Sequence, residues 1–120
     1  MLRSAAAALL FSLCLAGCST PTGATCPSTQ TLTYDNFGRT FMLANCVRCH
    51  SANATGAARK GAPVGVDLDT VEGVRAHSKL VDEYAGAGPS GTNTWMPPNE
   101  PKPTTEERRQ LAEWLACGAP

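Results

Sequence analysis

Hydrophobic positions gather in four groups along the 120 residues, separated by stretches rich in Gly, Pro, Ser and Thr. The first group, Ala5 to Ala16, follows the brief positive start Met1-Leu2-Arg3 and ends in Leu15-Ala16-Gly17-Cys18. A membrane-spanning helix needs roughly 20 apolar residues, so this shorter run has the form of an export signal over residues 1–17. In the second group Tyr34, Phe37, Phe41 and Ala44 fall on one helical stripe, which predicts a helix from about Thr33 to Cys46. Gly38 in its interior costs about 1 kcal/mol against Ala and marks a place where another element comes close. The third group opens at Asp69, an N-cap with Glu72 three residues later, and points Val71, Val74 and Leu80 inward. The fourth is the best delimited: Thr104 and Glu107 form a capping box after Pro103, Leu111, Trp114 and Leu115 make the inward stripe, and Gly118 is the stop. Trp114 is expected to pack where Gly38 offers no side chain. The pattern is that of an all-α domain of three to four helices over residues 33–120. Residues 18–32 have the composition of a flexible tether, and 51–65 and 85–94 that of Gly- and Pro-rich loops.

Chemistry enters at the end of the first helix, with Cys46-Val47-Arg48-Cys49-His50. Two thiols three positions apart can reach the two vinyl groups of one porphyrin, and the imidazole that follows at once can swing under the ring to the iron. This order is the attachment signature of c-type haem. The competing reading, a Cys pair for zinc or disulfide exchange, lacks a second ligand pair at related spacing. About a hundred residues after a leader make one modest core, so a covalent haem would supply apolar contact that so small a domain is short of.

The other cysteines sort by position. Cys14 leaves with the leader. Leu15-Ala16-Gly17-Cys18 resembles the bacterial lipobox, in which cleavage before the Cys exposes Cys18 for lipidation, and two or more acyl chains anchor stably where one does not. A plain secretory signal cut elsewhere is the alternative. Ser19 resembles the residue that in enteric bacteria permits sorting to the outer membrane. With Cys46 and Cys49 given to haem, Cys26 and Cys117 remain, and in an oxidising periplasm such a pair is expected to form a disulfide, with two free thiols as the alternative. A bridge would close a loop of roughly ninety residues, for a stabilisation on the order of 4 kcal/mol in the chain-entropy model.

Six further positions belong to the surroundings of a haem. A proximal imidazole needs an acceptor for its second nitrogen, and the carbonyl of Pro63 is placed in sequence to provide one. Arg59 and Lys60 either balance haem propionates or are simply solvated. Met96, in Thr94-Trp95-Met96-Pro97-Pro98, is the expected sixth ligand, a thioether on a segment that two prolines stiffen. His77 is the alternative ligand. Trp95 would pack on the haem edge, hydrogen-bond a propionate, or serve as ordinary core.

These features together resemble a class I cytochrome c domain from about Tyr34 to Cys117. The family's first helix carries a Gly eight residues before the first haem Cys, as Gly38 does, and usually an aromatic four before it, where this chain has Met42 with Phe41 displaced by one. Pro63, Met96 before proline, and Leu111 with Trp114 match its proximal proline, distal Met and terminal helix. The resemblance implies one covalent haem c with iron ligands His50 and Met96, and single-electron transfer without substrate chemistry. It also implies redox proteins as transient partners, while the lipobox-like ending Leu15-Ala16-Gly17-Cys18 implies a place in the bacterial cell envelope, lipid-anchored with the domain in the periplasm. A haem-containing accessory or sensor subunit, or a peroxidase-like enzyme with an open distal site, are the alternatives. Ten basic and ten acidic residues balance over the whole chain, which disfavours nucleic acid as a partner.

Overall fold

The computed structural model describes residues 20–120. The leader and Cys18 lie outside the described residues. Among the described residues no helix is long and apolar enough to cross a membrane.

The domain is helical, with four α-helices and one minimal strand pair. A π-helical turn over Tyr34–Gly38 runs directly into α1, Arg39–Asn45. Thr33 caps the turn reciprocally with Asn36: Thr33 Oγ1 accepts from the Asn36 amide at 3.2 Å, and Asn36 Oδ1 accepts from the Thr33 amide at 2.7 Å. The Gly38 amide reaches back five residues to the Thr33 carbonyl, and this wider turn shifts the helical phase. The buried positions of α1 are therefore Phe41 and Met42, while Ala44, expected on the stripe, is exposed.

A 3₁₀ turn over Gly56–Arg59 lies inside the long loop that follows. Helix α2, Val71–Ala76, is capped by Thr70, whose Oγ1 accepts from the Gly73 amide at 3.1 Å. Asp69, the expected cap, instead accepts from Ser51 Oγ at 2.6 Å and the Ala52 amide at 2.7 Å. It is drawn away from the helix because those donors, just past His50, need an acceptor. Desolvation pushes the Asp69 carboxyl up, but the bonds from Ser51 and Ala52 outweigh it and hold the group below its ordinary value. Helix α3, Ser78–Ala85, follows at once, and β1, Ala87–Gly88, pairs antiparallel with β2, Gly91–Thr92.

Helix α4 is Thr105–Ala116, with the Thr104 and Glu107 capping box formed as expected. Trp114 is fully buried. It stacks on Tyr34 at 6.5 Å between ring centroids and meets Phe37 edge-on at 5.9 Å. A Cβ at Gly38 would stand 2.5 Å from Cη2 of Trp114 and 3.0 Å from Cδ2 of Tyr34, so only glycine lets these helices cross here. Phe41, Met42, Leu68, Val74, Val81, Leu111 and Leu115 complete the core.

Residues 20–32 are not the flexible tether that their composition suggests. Thr22 is 1% exposed, and its amide and hydroxyl both donate to the Asp82 carboxylate, at 2.8 and 2.9 Å. Its carbonyl accepts from the Ser90 amide at 2.8 Å. Burial pushes the Asp82 carboxyl up and the Thr22 donors pull it back only in part, so the strap is docked on a carboxylate that has few other partners. Further on, Cys26 is joined to Cys117 by a disulfide, with the Cα atoms 4.7 Å apart, within the separation a disulfide requires. A tethering composition fixes nothing once a buried acceptor and a thiol stand opposite it.

Candidate functional site

Helix α1 ends by delivering the Cys46 to His50 segment to the rim of a cavity of about 420 Å³, a size typical of a small-molecule or cofactor site. Cys46, Cys49 and His50 line it together with Pro63, Val66 and Leu68, and α3 adds Leu80, Val81, Tyr84 and Ala85. Met96, Pro97 and Pro98 close the lining. The wall is thus largely apolar, and beside Asn45 and Tyr84 it presents two thiols, an imidazole and a thioether. Cys46 and Cys49 are not joined to each other or to any other cysteine among the described residues. Burial pushes the Cys46 thiol up to about 12, against the nearby Arg48 and Arg108. Such a place penalises thiolate and suits a neutral thioether, which fits a covalent porphyrin better than a metal-thiolate centre. Among the described residues no cluster of three or more His, Cys, Asp or Glu could hold a bare metal ion.

His50 lies after the first turn of this motif, its amide bonded to the Cys46 carbonyl at 2.9 Å and its own carbonyl accepting from the Leu68 amide at 2.8 Å. Its Nδ1 donates to the carbonyl of Val66 at 3.1 Å, not to that of Pro63. The Pro63 carbonyl is taken by Arg59 Nη2 at 2.6 Å, although the ring of Pro63 still lines the cavity. The shift has a local cause. Lys60, Gly61 and Gly65 all adopt positive φ, and these reversals bring the chain back so that Val66, three residues on, faces the imidazole. A carbonyl acceptor leaves Nδ1 as the protonated nitrogen and Nε2 free to bind a metal.

Arg59 is neither solvated nor in the cavity lining. It is 5% exposed, and its guanidinium donates to the carbonyls of Ser51, Ala54, Ala62, Pro63 and Val66 and to the Asp67 carboxylate. It organises the whole loop beneath His50. His77 stands at the break between α2 and α3, where its Nε2 donates to the Gly65 carbonyl at 3.0 Å, and it does not line the cavity. Trp95 is 75% exposed and packs in no core. It is left outside the cavity that Met96 lines, where the Met96 amide is bonded to the Tyr84 carbonyl at 3.0 Å.

Two arginines at this site were not singled out by sequence reasoning. Arg108, on α4 and 2% exposed, donates through Nη1 to the carbonyls of Ala85, Asn93 and Met96 at 2.8 to 2.9 Å. Burial lowers its pKa from the ordinary value. Its helical phase, sharing a face with Leu111, Ala112 and Leu115, was the available signal. Arg48, inside the Cys-Val-Arg-Cys-His motif, donates to the carbonyls of Asn99, Glu100 and Pro101, which ties the motif to the segment after Met96. Nothing in its spacing announced that partner.

No curated protein and no solved structure matches the chain. The cytochrome c family model matches residues 37–117, more than half of the chain. That span runs from Phe37 beside Trp114 through the cavity walls to Cys117, so it contains every residue of the cavity just described. The chain therefore belongs to the cytochrome c family, as a small helical haem-binding electron-transfer protein with a covalently attached haem c.

Proposed function

We propose that the haem is held by thioethers at Cys46 and Cys49, with His50 and Met96 as its axial ligands. The protein would carry single electrons in the bacterial cell envelope, lipid-anchored through Cys18 with its haem domain in the periplasm. The observation that supports the ligand set best is that one apolar cavity is lined by both thiols, the imidazole and the thioether, while His77 is engaged elsewhere. Ligation by His and Met favours a higher potential than two imidazoles.

The bound haem supplies a reversible one-electron change. The chain's own residues do the rest: Val66 keeps Nδ1 of His50 protonated, Leu68 and Val81 exclude water, and Tyr84 and Arg108 hold the backbone of Met96. Redox partners would be met through small, transient interfaces, to which exposed Trp95, next to Met96, offers an aromatic contact. The near balance of charge gives little long-range steering, and confinement at a membrane compensates by raising the local concentration.

Met96→Ala tests the ligation. The reduced variant is expected to bind carbon monoxide, and the oxidised one to lose the weak red sulfur-to-iron band. An unchanged spectrum in Met96→Ala with an altered one in His77→Ala moves the sixth ligand to His77, and carbon monoxide binding by the reduced wild type would favour a haem enzyme. Anchoring is tested separately. Metabolic labelling with a fatty acid should mark the wild type and not Cys18→Ala, whereas an unlabelled wild type free in the periplasm would mean ordinary signal cleavage.

A further inference from the structure

We propose that Arg59 raises the reduction potential of the haem from the proximal side, acting through the carbonyl that it shares with His50. The proposal rests on His50 being the proximal ligand. The Val66 carbonyl oxygen lies 3.1 Å from Nδ1 of His50 and 3.2 Å from Nη2 of Arg59. A guanidinium is a donor only and carries a fixed positive charge, so two N–H groups compete for one acceptor.

That competition has a direction. A strong bond from Nδ1–H to its acceptor makes the imidazole a better electron donor to the metal. Arg59 draws on the same oxygen and weakens that acceptor, so the imidazole donates less, which favours Fe(II) over Fe(III). The charge acts in the same sense. The oxidised iron carries one more positive charge than the reduced iron, and a buried cation close to the proximal ligand disfavours the more positive state, with little water to screen it. Arg59 is 5% exposed, and its one carboxylate partner among the described residues is Asp67, at 2.9 Å and partly open to solvent. Asp67 therefore offsets part of the cation's effect.

The arrangement separates tuning from mere support of the loop. Arg59→Gln removes the charge and the competing donor, while Asp67→Asn leaves Arg59 in place and removes only its counter-charge. Tuning requires the two variants to move the potential in opposite directions. A loop that is simply loosened admits water in both and moves them alike. The measurement is a spectroelectrochemical titration of the purified holoprotein at pH 7, after the red sulfur-to-iron band has shown the thioether bound and magnetic resonance has shown the His50 imidazole on the iron, so that a wrong ligand set is recognised before the potential is read.

Arg59→Gln is expected to shift the Fe(II)/Fe(III) ratio at fixed potential about tenfold toward Fe(III), which is a fall of about 59 mV for a one-electron couple. Asp67→Asn should shift it by a smaller factor toward Fe(II). Arg59→Lys, which keeps the charge but not the planar fork, should fall less than Arg59→Gln. If Arg59→Gln does not mature, Asp67→Asn decides alone: a potential raised above the wild type supports the proposal, and one unchanged or lowered overturns it.

Discussion

Replacing both Cys46 and Cys49 by serine is expected to give a chain that retains no haem on a denaturing gel and does not hold its native fold. The first outcome follows from the chemistry, since without a thiol there is no thioether to survive denaturation. The second follows from the size of the space. Without haem, largely apolar walls around a space of about 420 Å³ would face water, and a small domain has only about 5–15 kcal/mol of stability to set against that loss. Walls lined by Leu68, Val81 and Tyr84 would collapse or open instead. Haem staining and far-ultraviolet circular dichroism check the two outcomes independently. Stain that persists in the double variant would refute attachment at these cysteines, and native ellipticity with no haem would show that the helices do not depend on it. Each single variant keeps one possible thioether, and should retain reduced stain with a lower melting temperature than the wild type.

What the sequence made legible was local. The attachment motif, the Thr104 and Glu107 box and the Gly38 contact with Trp114 depend on residues a few positions apart or on the absence of a side chain. The pairing of Cys26 with Cys117 followed from elimination, not from geometry, and the two stand as neighbours because Tyr34 and Trp114 bring the start of the first helix and the end of the last together. What stayed hidden depends on where the chain turns back. Pro63 sits at the expected distance from His50, but reversals at Lys60, Gly61 and Gly65 present Val66 instead. Asp69 has the credentials of a cap and is claimed by Ser51 and Ala52. Thr22 reads as tether until Asp82, sixty residues away, is placed beside it. Charged residues misled most. Arg59 and Arg108 look like solvated surface in a list of residues, and each is buried because it gathers carbonyls from irregular segments or, at Ala85, from a helix end, where no regular structure pairs them.

Arg108→Met should release Met96 without leaving a hole. Methionine is long and apolar enough to fill much of the space that the guanidinium and its stem occupy, but it donates nothing. The carbonyls of Ala85, Asn93 and Met96 would then lose their shared donor. Leaving a buried acceptor unpaired costs about 1–3 kcal/mol. Three together outweigh what is regained by removing a buried cation, which has no carboxylate partner among the described residues. A net loss on the order of 3 kcal/mol is expected. The loss is also directional. Met96 keeps only its amide bond to the Tyr84 carbonyl, so the thioether is free to swing away from the ring. The oxidised Arg108→Met protein should lose the red sulfur-to-iron band at a lower pH than the wild type, as other ligands displace Met96. Its reduced form should bind carbon monoxide with the helical content near that of the wild type. Arg108→Lys, which restores a cation and three donors on a shorter reach, should recover part of the band. An Arg108→Met protein with the wild-type melting temperature and an undisturbed band would mean that the iron bond and the flanking prolines hold Met96 by themselves.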